Sequence, residues 1–232
     1  MKKAIIIICI FLTIECVSQN YGHLGGNYQI NHQTFEEYGE TNKQRAAYTS
    51  SYLNLIYNYK NLTIGNRMEL YRNPIDGFLE YEGYGLANSF IQYKNKLADI
   101  TIGNFYKEFG SGLILKTYYD PNLGIDNSIG GIKIKSTPFK GIYITALIGK
   151  QRSQWKEKPI DDSIFSWSSN QYSNGLIKAF NTDISINEIM LKTWNTKINT
   201  GFSFVTKKED ASHPRYILPE NVGAFNGRLN IT

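Results

Sequence analysis

The 232-residue chain is mildly basic, with a formal net charge of +5, and 41% of its residues are hydrophobic. Its basic residues are scattered, and the longest run, Lys207-Lys208, is answered at once by Glu209 and Asp210, so there is no cationic stripe of the kind that holds nucleic acid. A mean hydropathy of −0.35 excludes a helical membrane protein but not a β-barrel, in which only alternate residues of each strand meet lipid.

At the N-terminus, Lys2 and Lys3 precede the apolar run Ala4 to Leu12, and Cys16-Val17-Ser18 offers small residues before Gln19. Residues 1–18 therefore read as a secretory signal peptide, too short to span a bilayer as a helix, which takes roughly 20 apolar residues. Glu15 fits poorly with lipoprotein processing at Cys16. Both cysteines, Cys9 and Cys16, fall inside the leader, so residues 19–232 can form neither a disulfide framework nor a thiolate metal site.

A first strand is expected over Gly22 to Phe35, followed by a polar loop, Glu36 to Arg45. The segment Ser51 to Tyr71, SYLNLIYNYKNLTIGNRMELY, then reads as an antiparallel hairpin with two unlike faces. A two-residue turn at Lys60-Asn61 pairs Tyr59 with Leu62, Tyr57 with Ile64, Leu55 with Asn66 and Leu53 with Met68 on an apolar face. The other face pairs Asn58 with Thr63, Ile56 with Gly65, Asn54 with Arg67 and Tyr52 with Glu69. A soluble sandwich would bury the apolar face in its core, whereas an outer-membrane barrel would turn it to lipid.

After a turn at Asn73 to Gly77, Gly85 to Tyr106 repeats the design. A turn at Asn95-Lys96 pairs Tyr93 with Ala98, Ile91 with Ile100 and Ser89 with Ile102, with Gln92-Asp99 and Phe90-Thr101 behind. Lys107 to Gly131 is glycine-rich and reads as a short strand followed by a long ordered loop. Ile132 to Lys135 alternates, a turn is expected at Thr137-Pro138, and Ile142, Ile144, Ala146 and Ile148 share one face. Gln151 to Asn174 is a polar loop carrying Trp155 and Trp167. Strands resume over Gly175 to Asn187, Lys197 to Thr206 and Ala224 to Thr232. Strands of about 9 to 11 residues suit a tilted bilayer crossing, and tight turns alternating with long loops suit up-and-down connectivity. The end, Leu229-Asn230-Ile231-Thr232, lacks the terminal aromatic residue of a closing barrel strand, so either the barrel closes unusually or, as expected here, the chain is a fragment.

The run GNFYKEFGSGLILKTYYDPNLGIDNSIGGIKIK from Gly103, with GIYITALIGKQR after it, resembles an uncharacterised family of large outer-membrane β-barrel proteins from Bacteroidota. The resemblance rests on Asn104, Phe105, Phe109, Gly110, Gly112, Leu123, Gly124, Asp126 and Asn127, and extends from about Gly25 to Trp155. It implies the N-terminal portion of a larger barrel and brings no established activity with it. Read from the residues, Gly110 and Gly112 permit sharp bends and Asp126 and Asn127 can bond their own backbone in a turn. Such a segment either is a structural loop or constricts the lumen.

Other chemistry finds little footing. Asp120, Asn122, Gly124 and Asp126 alternate as calcium ligands would, but Ile125 and Gly131 stand where an EF-hand needs glycine and glutamate. His23, His32 and His213 share no metal spacing, and no G-x-S-x-G elbow occurs. The adjacent carboxylates Glu36-Glu37 and Asp161-Asp162 point to opposite faces of an extended chain.

The expected fold class is therefore all-β, an antiparallel up-and-down transmembrane β-barrel or an incomplete one, forming a single domain over residues 19–232. The expected role is an outer-membrane pore, transporter or envelope scaffold without catalysis or cofactor. Its partners would be outer-membrane lipid and envelope proteins, not nucleic acid, and its small-molecule substrate is unidentified. Arg67, Glu69, Asp99, Lys133 and Lys135 are the candidate lumen residues. Phe109, Gly110, Gly112, Gly124, Asp126 and Asn127 form the candidate structured loop. The alternative is a soluble exported β-sandwich binding glycan or protein through Trp155 and Trp167.

Overall fold

The computed structural model describes residues 21–36, 45–72, 83–121, 123, 125–155, 170–190, 195–208 and 220–232. The signal-peptide expectation, Gly124, Trp167, His213 and the Asp161-Asp162 pair lie outside the described residues.

The main feature is one ten-stranded antiparallel sheet. Its strands are β1 (His23–Glu36), β2 (Arg45–Tyr59), β3 (Leu62–Arg72), β4 (Gly83–Lys94), β5 (Ala98–Phe105), β10 (Ile129–Phe139), β11 (Ile142–Trp155), β12 (Asn170–Ser185), β13 (Ile198–Lys208) and β14 (Asn221–Ile231). They neighbour one another in chain order, so the topology is up-and-down. Between β5 and β10 the chain leaves the sheet to form four two-residue strands: β6 (Glu108–Phe109), β7 (Leu115–Lys116), β8 (Tyr119–Asp120) and β9 (Ile125–Asp126). They pair as two small hairpins, β6-β7 and β8-β9. One helical turn, α1 (Ile186–Ile189), follows β12. Among the described residues β1 and β14 do not pair with each other.

The hairpin β2-β3 has the register expected from its sequence, from Tyr59 opposite Leu62 to Tyr52 opposite Glu69. The β4-β5 hairpin departs from expectation by two residues, pairing Ile91 with Ile102 and Tyr93 with Ile100. The cause is Asn95, whose side-chain oxygen accepts from the amides of Leu97 (2.9 Å) and Ala98 (2.8 Å), widening the turn. Because the shift is even, every side chain keeps its face. The expected turn at Thr137-Pro138 is corrected too. Pro138 is absorbed in an irregularity between Ser136 and Phe139, and the chain turns at Lys140-Gly141, where Gly141 takes φ 81°. Sheet structure also extends into the expected polar loop, since β11 runs to Trp155 and β12 begins at Asn170.

The sheet is strongly curled. Strands four places apart in a flat sheet are separated by about 19 Å. Here Asn170 of β12 donates to the carbonyls of Leu86 and Ala87 in β4, four places away, at 3.1 and 2.9 Å. Part of the curl is a crease across three adjacent strands. Gly103, Gly131 and Gly149 stand in one register row, and a Cβ on any of them would overlap the backbone of the next strand.

The faces are inverted relative to a soluble protein. One outer row runs Tyr59, Leu62, Tyr93, Ile100, Ile134, Ala146, Phe180, Phe204 and Phe225, from β2 to β14 with no polar residue among them. The next outer row holds Ile64, Ile91, Ile102, Ile132 and Ile148. Ile91 and Ile102 are 50% and 54% exposed, while the inner-facing Arg67, Glu69, Asn181 and Ser203 are buried. The inner row level with the first apolar belt is Asn58, Thr63, Gln92, Thr101 and Lys133 on one side, and Leu147, Ala179, Val205 and Ala224 on the other. The concave face thus has a polar half and an apolar half.

Candidate functional site: the insert on the concave face

The described residues of the segment 106–128 lie against this concave face, and each of the two small hairpins meets the half that suits it. The β6-β7 hairpin turns through Gly110, Ser111 and Gly112, all left-handed (φ 62°, 55° and 81°), with the amides of Gly112 and Leu113 donating to Phe109 and Gly110. Two glycines in three such positions is what the geometry needs. The tight turn presents Phe109 and Leu115 to an apolar cluster with Phe105, Ile129, Leu147, Ile177, Ala179 and Val205. Phe109 is 2% exposed, so its burial contributes a few kcal/mol. At the exit of the hairpin Thr117 is buried, its hydroxyl taking the Lys107 amide (2.8 Å) while its own amide donates to the Lys107 carbonyl (3.1 Å).

The β8-β9 hairpin is held by charge. The oxygens of Asp126 accept from Arg67 Nη2, from Arg152 Nη1 (2.6 Å), from the Tyr106 hydroxyl (2.9 Å) and from the Ser128 amide (3.1 Å). Arg67 also donates to Glu69 Oε1 (2.6 Å), and Glu69 Oε2 lies 3.9 Å from Arg152 Nη2. Two guanidiniums thereby face two carboxylates, all buried. Arg67 stacks on Tyr119, its guanidinium carbon 3.7 Å from the ring centroid, and Tyr119 meets Tyr52 edge-on. Burial pushes the Tyr106 and Tyr119 phenols well above the usual tyrosine range, helped by the nearby Asp126 and Glu69 carboxylates, so both stay protonated. Asn127 closes the hairpin, its side-chain oxygen accepting from the Tyr118 amide at 2.6 Å.

Asp126 and Asp120, part of the calcium-like spacing, are otherwise engaged. Asp126 is saturated by arginine and tyrosine donors, and Asp120 Oδ1 accepts from the Leu123 amide (3.3 Å) as in an Asx turn.

Of the residues singled out from sequence, the structure joins Arg67, Glu69 and Asp126 in this network and places Phe109 in the apolar cluster. Asp99, Lys133 and Lys135 form a separate inward-facing group, with Lys135 Nζ 3.9 Å from Asp99 Oδ2. Arg152, Tyr106 and Tyr119 were not singled out. Arg152 lies where a polar loop was expected, next to a break in the β11 register, so alternation along the chain gave it no face. A second missed cluster joins Arg228 of β14 to Asp183, Asn181 and Ser203, each at 2.7 Å. Its signal was present, since Ala224, Asn226, Arg228 and Asn230 alternate with apolar or glycine residues.

No curated protein matches the chain. Among solved structures it is similar to OccK8 (OprE) of Pseudomonas aeruginosa, at 12% identity over 90% of this chain, with a TM-score of 0.34. The chain covers 63% of that protein's length. The resemblance expected over Gly25 to Trp155 is exceeded by a match that runs over residues 1–232, and on that match the chain belongs to the Family of unknown function (DUF6029).

Proposed function

We propose that this chain forms the wall and the internal plug of an outer-membrane β-barrel, serving as a pore, transporter or envelope scaffold and carrying out no catalysis. The observation that carries the reading is the apolar outer belt, unbroken from Tyr59 in β2 to Phe225 in β14, set against a concave face that buries Arg67, Glu69, Arg152 and Asp126. A soluble sandwich would bury the belt beneath a second sheet. Among the described residues the only other sheets are the two small hairpins, and both lie on the opposite face. Lipid is the solvent that suits such a belt, and the charges of Arg67, Glu69, Arg152 and Asp126 are paired within the wall and insert.

The insert defines the kind of barrel. It reaches from Tyr52 and Arg67 on one flank to Asn226 on the other, where a Cβ on Gly110 would come within 3.2 Å of the asparagine side chain. That span narrows the space enclosed by the wall. Under this reading the mature protein stays with membranes after carbonate washing and shows heat-modifiable mobility on a gel. Release into the soluble fraction would overturn it. Ile102→Arg, in the second outer row and at the middle of β5, is expected to block assembly, since an arginine facing lipid at mid-depth costs about 2–4 kcal/mol. Thr63→Arg, on the inner face of β3, is expected to assemble.

A further inference from the structure

Lys133 is the least explained charge on the concave face. It is 8% exposed, and its ammonium rests 5.0 Å from the centroid of the Phe105 ring. Among the described residues no carboxylate lies within ion-pairing distance of it. Asp99, one inner row toward the turn, already accepts from Gln92 Nε2 at 2.6 Å and faces Lys135. Among the described residues the charged groups acting on Lys133 are Lys135, Asp99 and Lys107, two positive and one negative. A buried ammonium in that position is costly unless an anion compensates it, and the aromatic ring offsets only part of the cost.

A second observation points the same way. Directly opposite Lys133 in register is Thr101, whose hydroxyl is buried and makes no hydrogen bond. The next inner row holds Gly103 and Gly131, so no side chain from that row stands between Lys133 and Phe105. An unpaired ammonium and an unused hydroxyl donor from the same register row suit an oxygen-bearing anion, which takes charge from one and a hydrogen bond from the other. Lys107, reaching in from the insert with its ammonium 5.3 Å from the Phe109 ring centroid, adds a second cation that forms no ion pair among the described residues, although the Glu108 and Asp183 carboxylates act on it from further away.

We propose that Lys133, Thr101 and Lys107 together bind a small oxyanion, a carboxylate or inorganic phosphate, on the concave face beside the insert. The inference rests on reading that face as a lumen reached by solutes. Such a site would bias the narrowed passage toward anionic solutes.

The test is calorimetric titration of the purified protein in detergent micelles with inorganic phosphate, against chloride at constant ionic strength. Saturable phosphate binding is expected. Lys133→Met should weaken it about tenfold or more, Thr101→Val by less, and Lys96→Met, on the exposed β4-β5 turn, should leave it unchanged. Lys133→Met replaces a buried ammonium by an apolar side chain of similar length, and its folding is checked by the same heat-modifiable band. Displacement of phosphate by acetate assigns the site to carboxylates as well, and failure to displace restricts it to phosphate. Absence of saturable binding by a folded, membrane-held protein, or equal affinity in Lys133→Met, overturns the site while leaving the barrel reading intact. Phosphate binding by a protein that proves soluble overturns the barrel reading instead.

Discussion

The two small hairpins of the insert are nearly the same size and close in sequence, yet they are held by opposite physics. The β6-β7 hairpin docks Phe109 and Leu115 into an apolar cluster on β5 and β10 to β13, and the β8-β9 hairpin docks Asp126 between Arg67 and Arg152. The apolar contact is non-directional and scales with area removed from water. The ionic one offsets a large desolvation cost only while every donor and acceptor is matched. On the proposed reading of the sheet as a membrane wall, both can occur in one segment. Its inner surface need not be apolar for the fold to be stable, so the insert adapts to whichever half of the wall lies beneath it.

The contrast can be broken most severely at the ionic end. Asp126→Ala removes the carboxylate shared by two buried guanidiniums and is expected to destabilise the insert by about 3–5 kcal/mol, read as loss of hydrogen-exchange protection over residues 117–128. Replacing Arg67, Glu69, Asp126 and Arg152 together by apolar residues of matching volume should cost far less than Asp126→Ala alone. A cost equal to or above that of the single change would show the network to be a net source of stability. At the apolar end, Phe109→Ala is expected to cost about 3 kcal/mol, with protection lost over residues 107–116. If the hairpins are held independently, Phe109→Ala and Asp126→Ala add within about 0.5 kcal/mol, and a larger coupling would mean the insert moves as one body.

Smaller effects sharpen the same picture. Gly110→Ala places a side chain at φ 62° beside Ile114 and Asn226, and should cost about 1–2 kcal/mol by equilibrium unfolding. Leu113, 82% exposed at the tip of the same hairpin, is the control: Leu113→Ala should change stability by no more than about 0.5 kcal/mol.

How much of this was legible beforehand depended on whether the information was local. The β2-β3 register followed from a two-residue turn and strict alternation, and it holds from Tyr59 through Tyr52. In the next hairpin the faces were right and the register was not, because one Asn95 side chain captured two amides and lengthened the turn. Pro138 misled for the opposite reason: a residue that usually ends pairing sits in an irregularity that the sheet absorbs. Arg67, Glu69 and Asp126 were recognisable as polar groups on an inner face or in a structured loop, but nothing along the chain joined them. Arg152 was out of reach, since its partner Glu69 lies four strands away and meets it only because the wall curls.

The amino-acid sequence by itself determined the all-β class, the up-and-down order and which side chains of each strand share a face, because period-two alternation and tight turns act over a few residues. The tertiary structure alone decided that the polar face is the concave one, that the insert lies on it, and that Asp126 closes a network spanning β3 and β11. These depend on the curvature of the sheet, a cumulative property of many strands and of the crease at Gly103, Gly131 and Gly149.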